Sequence, residues 1–308
     1  MRLRAALTAG FAALVLAAPA QADTFSVTNG SSDVAAGCTG TTCPSLRAAI
    51  AAAEITRLAD IINVPSGTIN INNDLVVASD MTIVGTSART NIIDGGAKYR
   101  GLRVAAGATV SFIHFTIRNA AAGQGGSDDG GGVVNSGTLT LAYVHVTTSR
   151  ATRGGGVANL SPGLLSLQHT LIDGNTSGGT GGGIVNVGSV ETTPITYISM
   201  TDSTVFGNTA NGGAGGIANL NNGGLLLMTR VTVADNLGST GSTGGLLTGV
   251  AQRSQVTGSI LARNKVGAAT SNCGAIKPTN GGFNVEDNDT CALGLTADPV
   301  LETKLAKF

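Results

Sequence analysis

The sequence predicts an all-β fold, a right-handed parallel β-helix (solenoid) with a short N-terminal capping helix, and three observations predict it. A phrase recurs: a glycine cluster, apolar-x-Asn, an alternating strand, then a second asparagine. The composition, with 46 glycines in 308 residues, 42% hydrophobic and only 12% charged residues, suits stacked neutral strands and tight turns rather than surface helices or a disordered chain. Segments between the punctuation marks, such as Thr138-Leu-Thr-Leu141 and Val231-Thr-Val233, alternate apolar with small polar residues, so one face of each strand turns inward.

Residues 1–22 place Arg2 and Arg4 before an apolar stretch, Ala5 to Leu16, and a small-residue run ending at Ala22. This is the pattern of a secretory signal peptide cleaved after Ala22, and the apolar run is shorter than the roughly 20 residues of a membrane span. The residue directly after the cleavage point is Asp23 and not cysteine, so no lipoprotein signal is expected. The expected product is secreted, extracellular or periplasmic, without a later membrane span. Removing residues 1–22 leaves 286 residues and takes away Arg2 and Arg4, so the 18 basic residues become 16 against 18 acidic ones. Such a balance excludes the electrostatic footprint of a nucleic-acid binder.

The next segment, 23–66, reads as an N-terminal cap. Ser45 to Leu58 carries Leu46, Ile50 and Leu58 at helical spacing among alanines, with Pro44 at its start. A helix here covers the open end of a stack, whose strand edges otherwise template aggregation. Cys38 and Cys43 lie beside it, and Cys273 and Cys291 lie near the other end. In an oxidising compartment each local pair reads as a disulfide. The competing reading, a metal site, needs CxxC-like spacing, which is absent.

Residues 67–270 hold the repeats. The first asparagine of the phrase falls at Asn135, Asn159, Asn186 and Asn219, with spacings of 24, 27 and 33. The second falls at Asn119, Asn175, Asn208, Asn236 and Asn264, where the spacing of 56 between the first two covers two coils and puts Arg150 in the missing asparagine's place. A drifting period with constant punctuation means a solenoid whose loops absorb the differences. Glycines at the corners supply unusual φ values, and stacked asparagines form hydrogen-bonded ladders. Residues 271–308 close the chain as a C-terminal cap loop and tail.

Several stretches carry a resemblance. Cys43-Pro-Ser-Leu-Arg-Ala-Ala-Ile50, Asp60-Ile-Ile-Asn-Val-Pro-Ser-Gly-Thr68, Met81-Thr-Ile-Val-Gly85 and Ile92-Ile-Asp-Gly95 resemble the CSLREA-domain opening of secreted bacterial β-helix proteins. They depart from it at Pro44 and at Ala48, where the family has glutamate. The glycine and asparagine repeats resemble the polymorphic outer-membrane-protein type of right-handed β-helix. Gly281-Gly-Phe-Asn284 to Asp298-Pro-Val-Leu301 is similar to the end of many such chains. The resemblance implies fold and export, including the pectin lyase-like shape, and implies no catalytic residue.

Chemistry has few footholds. Coils stack about 4.8 Å apart, so carboxylates in one column approach the separations used by glycosidases; aligned on the second asparagine, Asp173, Asp202 and Asp235 fall in different columns. Asp128-Asp129 reads either as a solvated turn or as a calcium-binding or catalytic pair, and the Asn-Thr-Asp and Gly-His-Gly motifs that accompany such a pair in polygalacturonases are absent. The same alignment stacks His114 on His145, with no third ligand for a metal, and places Asp235 and Arg263 as a cross-coil ion pair. With no tryptophan and three tyrosines, strong sugar stacking has few candidates.

The expected function is a non-catalytic, structural or adhesin-like surface contacting extracellular polysaccharide or cell-surface components, with no cofactor and no metal. The alternative is a lyase or hydrolase of acidic polysaccharide, with Asp128, Asp129, Asp173, His145 and Arg150 as its candidate residues. Function is expected where the repeat breaks: around Asp128, at Arg150, and in the long coil between Asn186 and Asn219.

Overall fold

The computed structural model describes residues 22–56, 58–122, 128–188, 196–220, 224–250 and 253–293. Within them the chain winds as a parallel β-solenoid. One coil runs through Thr138–Ala142, His145–Thr147, Arg150–Ala151 and Val157–Leu160, then begins again at Leu164–Gln168 directly above its own start. Repeated coil on coil, these four positions make a first sheet of 11 strands, a second of 9, a short third of 6 and a fourth of 7. All pairings are parallel except one hairpin near the end, Lys265–Val266 with Ala269–Thr270, and the bridge Thr39 to Thr42 beside the first disulfide.

Alternation within each strand decides which residues meet inside. On the first sheet Val110, Leu139, Leu165, Ile198 and Leu226 form one buried column in direct register, except that Leu226 is followed by Ser254. On the second sheet the inward column is Ile69, Ile93, Ile117, Val146, Ile172, Val205, Val233 and Leu261. On the fourth it is Leu102, Val133, Val157, Ile184, Ile217 and Leu246. Each such side chain contributes about 1.5–3 kcal/mol when fully buried.

The corners need polar chemistry, because the backbone leaves the ladder there and its N–H and C=O groups are still buried. Asn175, Asn208, Asn236, Asn264 and Asn272 supply it between the second and third sheets. The amide nitrogens of Asn175, Asn208, Asn236 and Asn264 each donate to the next amide oxygen at 2.8–3.0 Å. The first four also donate to the carbonyl of a core residue one coil back, Val146, Ile172, Val205 and Val233. The oxygens of Asn208, Asn236 and Asn264 accept the backbone N–H of the preceding asparagine, and that of Asn175 accepts the N–H of Ser149. A second ladder, Asn135, Asn159, Asn186 and Asn219, turns the chain from the fourth sheet into the first and ends on the Ser254 hydroxyl.

The glycine clusters follow from the first of these ladders. A Cβ at Gly156 would lie 2.9 Å from the Asn175 amide nitrogen and 2.7 Å from the Gly183 carbonyl oxygen, and one at Gly183 would lie 3.0 Å from the Asn208 amide. The chain crosses so close over the amides that only hydrogen fits.

Two sequence-based placements need correction. Asn119 is not a ladder member: it stands exposed one residue before the ladder column, with φ +48°, and its amide binds Asp94 at 3.0 Å. Arg150 does not replace an asparagine either; the column passes from Ala120 through Ser149 to Asn175, and Arg150 lies one residue beyond it. The coil offset here is set by strand pairing, Arg118 with Thr147 and Thr147 with Asp173, and not by counting from one asparagine to the next.

The helix Leu46–Thr56 buries Leu46, Ala48, Ala49, Ile50 and Ala53, and the Ser45 hydroxyl accepts the Ala48 N–H at 3.1 Å as its N-cap. It ends at Thr56, before Leu58. Disulfides join Cys38 to Cys43 and Cys273 to Cys291, the oxidised state of an extracytoplasmic compartment. No helix among the described residues is long and apolar enough to cross a membrane.

Candidate functional site

The candidate residues of the sequence do not converge. Asp129 is buried and holds Arg153 through two bonds of 2.7 Å, while its carbonyl accepts a bond from Arg100. Asp128 beside it is exposed, and its carbonyl accepts the Thr152 N–H at 2.7 Å. Arg150 is exposed at the start of a third-sheet strand and reaches the Ala97 carbonyl at 2.9 Å. His145 and Asp173 do meet, Nε2 to Oδ1 at 2.7 Å, on the outer surface of the second sheet. Part of the long coil between Asn186 and Asn219, residues 189–195, lies outside the described residues.

His114 does not stack on His145, whose register partner is Thr116. The pairing of Ile113 with Ala142, Ala142 with Gln168, Gln168 with Thr201 and Thr201 with Thr229 aligns the five residues that follow: His114, Tyr143, His169, Asp202 and Arg230. All five sit at the corner between the first and second sheets with φ of +50° to +66°. Each donates its N–H to the carbonyl of the next coil's last strand residue, at 3.0–3.2 Å, as Tyr143 does to Gln168. Glycine is the residue for this conformation, and other L-residues carry a cost of roughly 1 kcal/mol or more. Gly258 and Gly282 occupy the corner in the last coils, while five consecutive coils use large side chains instead.

Those side chains form a continuous ridge. The His114 and Tyr143 rings lie 5.2 Å apart, and Tyr143 stacks on His169 at 4.7 Å with planes 17° apart. Asp202 follows, binding Arg230 through bonds of 2.6 and 2.8 Å. Since stacked rings cover each other's faces, the ridge presents edges: hydroxyl, imidazole nitrogens, carboxylate and guanidinium. The chain's 3 histidines all lie here, with His145 two residues beyond Tyr143.

Electrostatics on this side are local and paired. The hydrogen bond from Arg230 holds the Asp202 carboxyl below its usual pKa, helped by the charges of Arg230 and His169. At Asp173 burial works against the charged form, but hydrogen bonds from His145 and Thr147 and the charge of His145 outweigh it and lower the pKa. At Asp94 burial is likewise outweighed, by the Gly96 N–H, then by Arg118 and Asn119. Asp235 and Arg263 make the expected cross-coil pair at 2.6 Å. Among the described residues no group of three His, Cys, Asp or Glu side chains is arranged to hold a metal ion.

The His–Tyr–His–Asp–Arg column was missed in the sequence because its members share a backbone conformation and no residue type. Comparison with family models, curated proteins and solved structures finds no match for this chain.

Proposed function

We propose that this chain is a secreted or envelope-associated β-helix whose ridge and adjoining second sheet hold an extended extracellular polymer without transforming it. The observation that carries the reading is the ridge itself, five large polar or aromatic side chains at consecutive coils in a backbone conformation that glycine would adopt at less cost. Strain kept at successive exposed or partly exposed positions is a pointer to function. The step of about 4.8 Å per coil suits a chain of sugar rings lying along the solenoid axis, each meeting a new hydroxyl, imidazole or charge.

The paired carboxylates support binding over catalysis. Asp94, Asp129, Asp202 and Asp235 each face an arginine on a neighbouring coil and Asp173 faces His145, and the lowered pKa of Asp94, Asp173 and Asp202 makes them poor general acids at neutral pH. The alternative, a polysaccharide lyase or hydrolase, draws on one observation, the His145–Asp173 pair on the open face. The CSLREA-type relationship and the export route belong to the same proposal.

The test is a panel of neutral and acidic polysaccharides offered to the mature protein, with calorimetric titration for binding and assays for new reducing ends or unsaturated products. Binding without turnover, weakened about tenfold by combined Tyr143→Gly and His169→Gly, is expected. Turnover abolished by Asp173→Asn or Asp128→Ala would overturn the reading in favour of the enzyme.

A further inference from the structure

Asp60 is a carboxylate in an apolar position. It opens the first-sheet strand Asp60–Val64 and points inward, in direct register with Met81, which is followed in the same column by Val110, Leu139 and Leu165. Its exposure is 0%. No Lys, Arg or His side chain among the described residues pairs with it, although seven other acid–base pairs are present. Among the described residues two hydrogen bonds serve its carboxylate: the Thr56 hydroxyl bonds one oxygen, and the backbone nitrogen of Asp23 bonds the other at 2.7 Å. A buried carboxylate facing two neutral donors is costly unless a cation joins it.

Asp23 is the residue that follows Ala20-Gln21-Ala22, the cleavage signal read from the sequence. Hydrolysis of the Ala22–Asp23 peptide bond adds water across it, leaving a carboxylate on Ala22 and a free amine on Asp23. That amine, protonated at neutral pH, stands on the atom that already contacts Asp60. We infer that export processing completes the N-terminal cap: the new α-ammonium of Asp23 becomes a counter-ion of Asp60. The same carboxylate also ties the cap together, since Thr56 ends the helix and the Asp23 carbonyl accepts the Ile61 N–H at 2.9 Å. The other end of the stack shows the neutral solution to the same problem. Glu286 is buried in the second-sheet core column beyond Leu261, and two backbone N–H groups, of Cys291 and Leu293, serve its two oxygens at 2.9 Å each.

The inference rests on cleavage after Ala22, and the experiment separates the two. The intact mass of the exported, oxidised protein reports its first residue; a mature chain starting anywhere other than Asp23 overturns both. Oxidised protein released from a cleavable fusion is then prepared starting at Asp23 or at Ala22, the second keeping the hydrogen bond from an uncharged amide. The Asp23 start is expected to melt roughly 3–6 °C higher, and the gap is expected to close in the Asp60→Asn background. Equal melting of the two starts in the native background, or a gap that survives Asp60→Asn, refutes the ion pair even where processing is confirmed. Should Asp60→Asn fail to fold, acetylation of the Asp23 amine replaces it: melting at the Ala22-start temperature supports the pair and unchanged melting refutes it.

Discussion

The buried asparagine ladder and the exposed ridge obey the same coil repeat and treat it in opposite ways. In the ladder, Asn175, Asn208, Asn236 and Asn264 repeat at four successive coils, Asn272 extends them, and all five are fully buried. Asn208, Asn236 and Asn264 each meet the same environment, an amide below, an amide above and buried backbone groups, so the same side chain serves each. On the ridge the backbone is just as uniform, at φ near +55°, yet the residue changes at every coil from His114 to Arg230. Solvent accepts any of them. Within a solenoid, identity along a column marks scaffold, and variety in a constrained backbone marks surface open to recognition.

Substitution sharpens that contrast, with the largest effect expected inside. Asn208→Leu removes the acceptor for the Asn175 N–H and the donor to Ile172, leaving buried polar groups unpaired; a loss of about 3 kcal/mol is expected by urea unfolding, and a loss below about 1 kcal/mol would show that water replaces the ladder. Next come the staples. Replacing Cys273 and Cys291 with serine opens a loop of sequence separation 18 and is expected to cost about 3 kcal/mol, against about 2 kcal/mol for the separation of 5 at Cys38 and Cys43. Matching losses from both pairs would show that strain or cap packing, and not loop closure, sets their worth.

Acid is the gentler probe. The lowered pKa values of Asp94, Asp173 and Asp202 mean that the folded state binds protons less readily than the unfolded chain at these groups. Their contribution is therefore present above the ordinary carboxylate pKa, near pH 4, and is lost as pH falls through the lower folded values. Thermal melts between pH 7 and pH 2.5 are expected to show this, with Asp173→Asn removing under about 1 kcal/mol of the acid sensitivity because the pair is partly solvated. A melt profile unchanged by Asp173→Asn would mean that His145 adds nothing to the fold. The smallest effect belongs to the ridge. In Tyr143→Gly the relief of positive φ, roughly 1 kcal/mol, offsets a stacking loss of about 0.5–1.5 kcal/mol, so stability is expected to stay within about 0.5 kcal/mol while polymer binding falls. A large destabilisation would make the ridge a structural column like the asparagines.

Gly154-Gly-Gly-Val-Ala-Asn159 and its counterparts announce corners on their own, because crowding and buried backbone groups select glycine and asparagine wherever a coil turns; strand alternation likewise names the inward residues without any coordinates. The cysteine pairs were legible for a similar reason, lying close in the chain at either end. Lateral alignment was not. Asn119, Arg150, His114 and His145 were misplaced because Ala120 and Ser149 hold the ladder column where later coils have asparagine, so counting from Asn119 to Arg150 shifts one coil against the next. Only hydrogen-bonded pairing of strands sets that register. It also decided two things no local pattern announces: that residues as unlike as His114, Tyr143, His169, Asp202 and Arg230 share one exposed column, and that the nitrogen of Asp23 ends beside a carboxylate 37 residues away. Local sequence determines the coil, since turn chemistry and alternation act between near neighbours; the stacking of coils determines the surface, since it joins residues that share nothing but a place in the ladder.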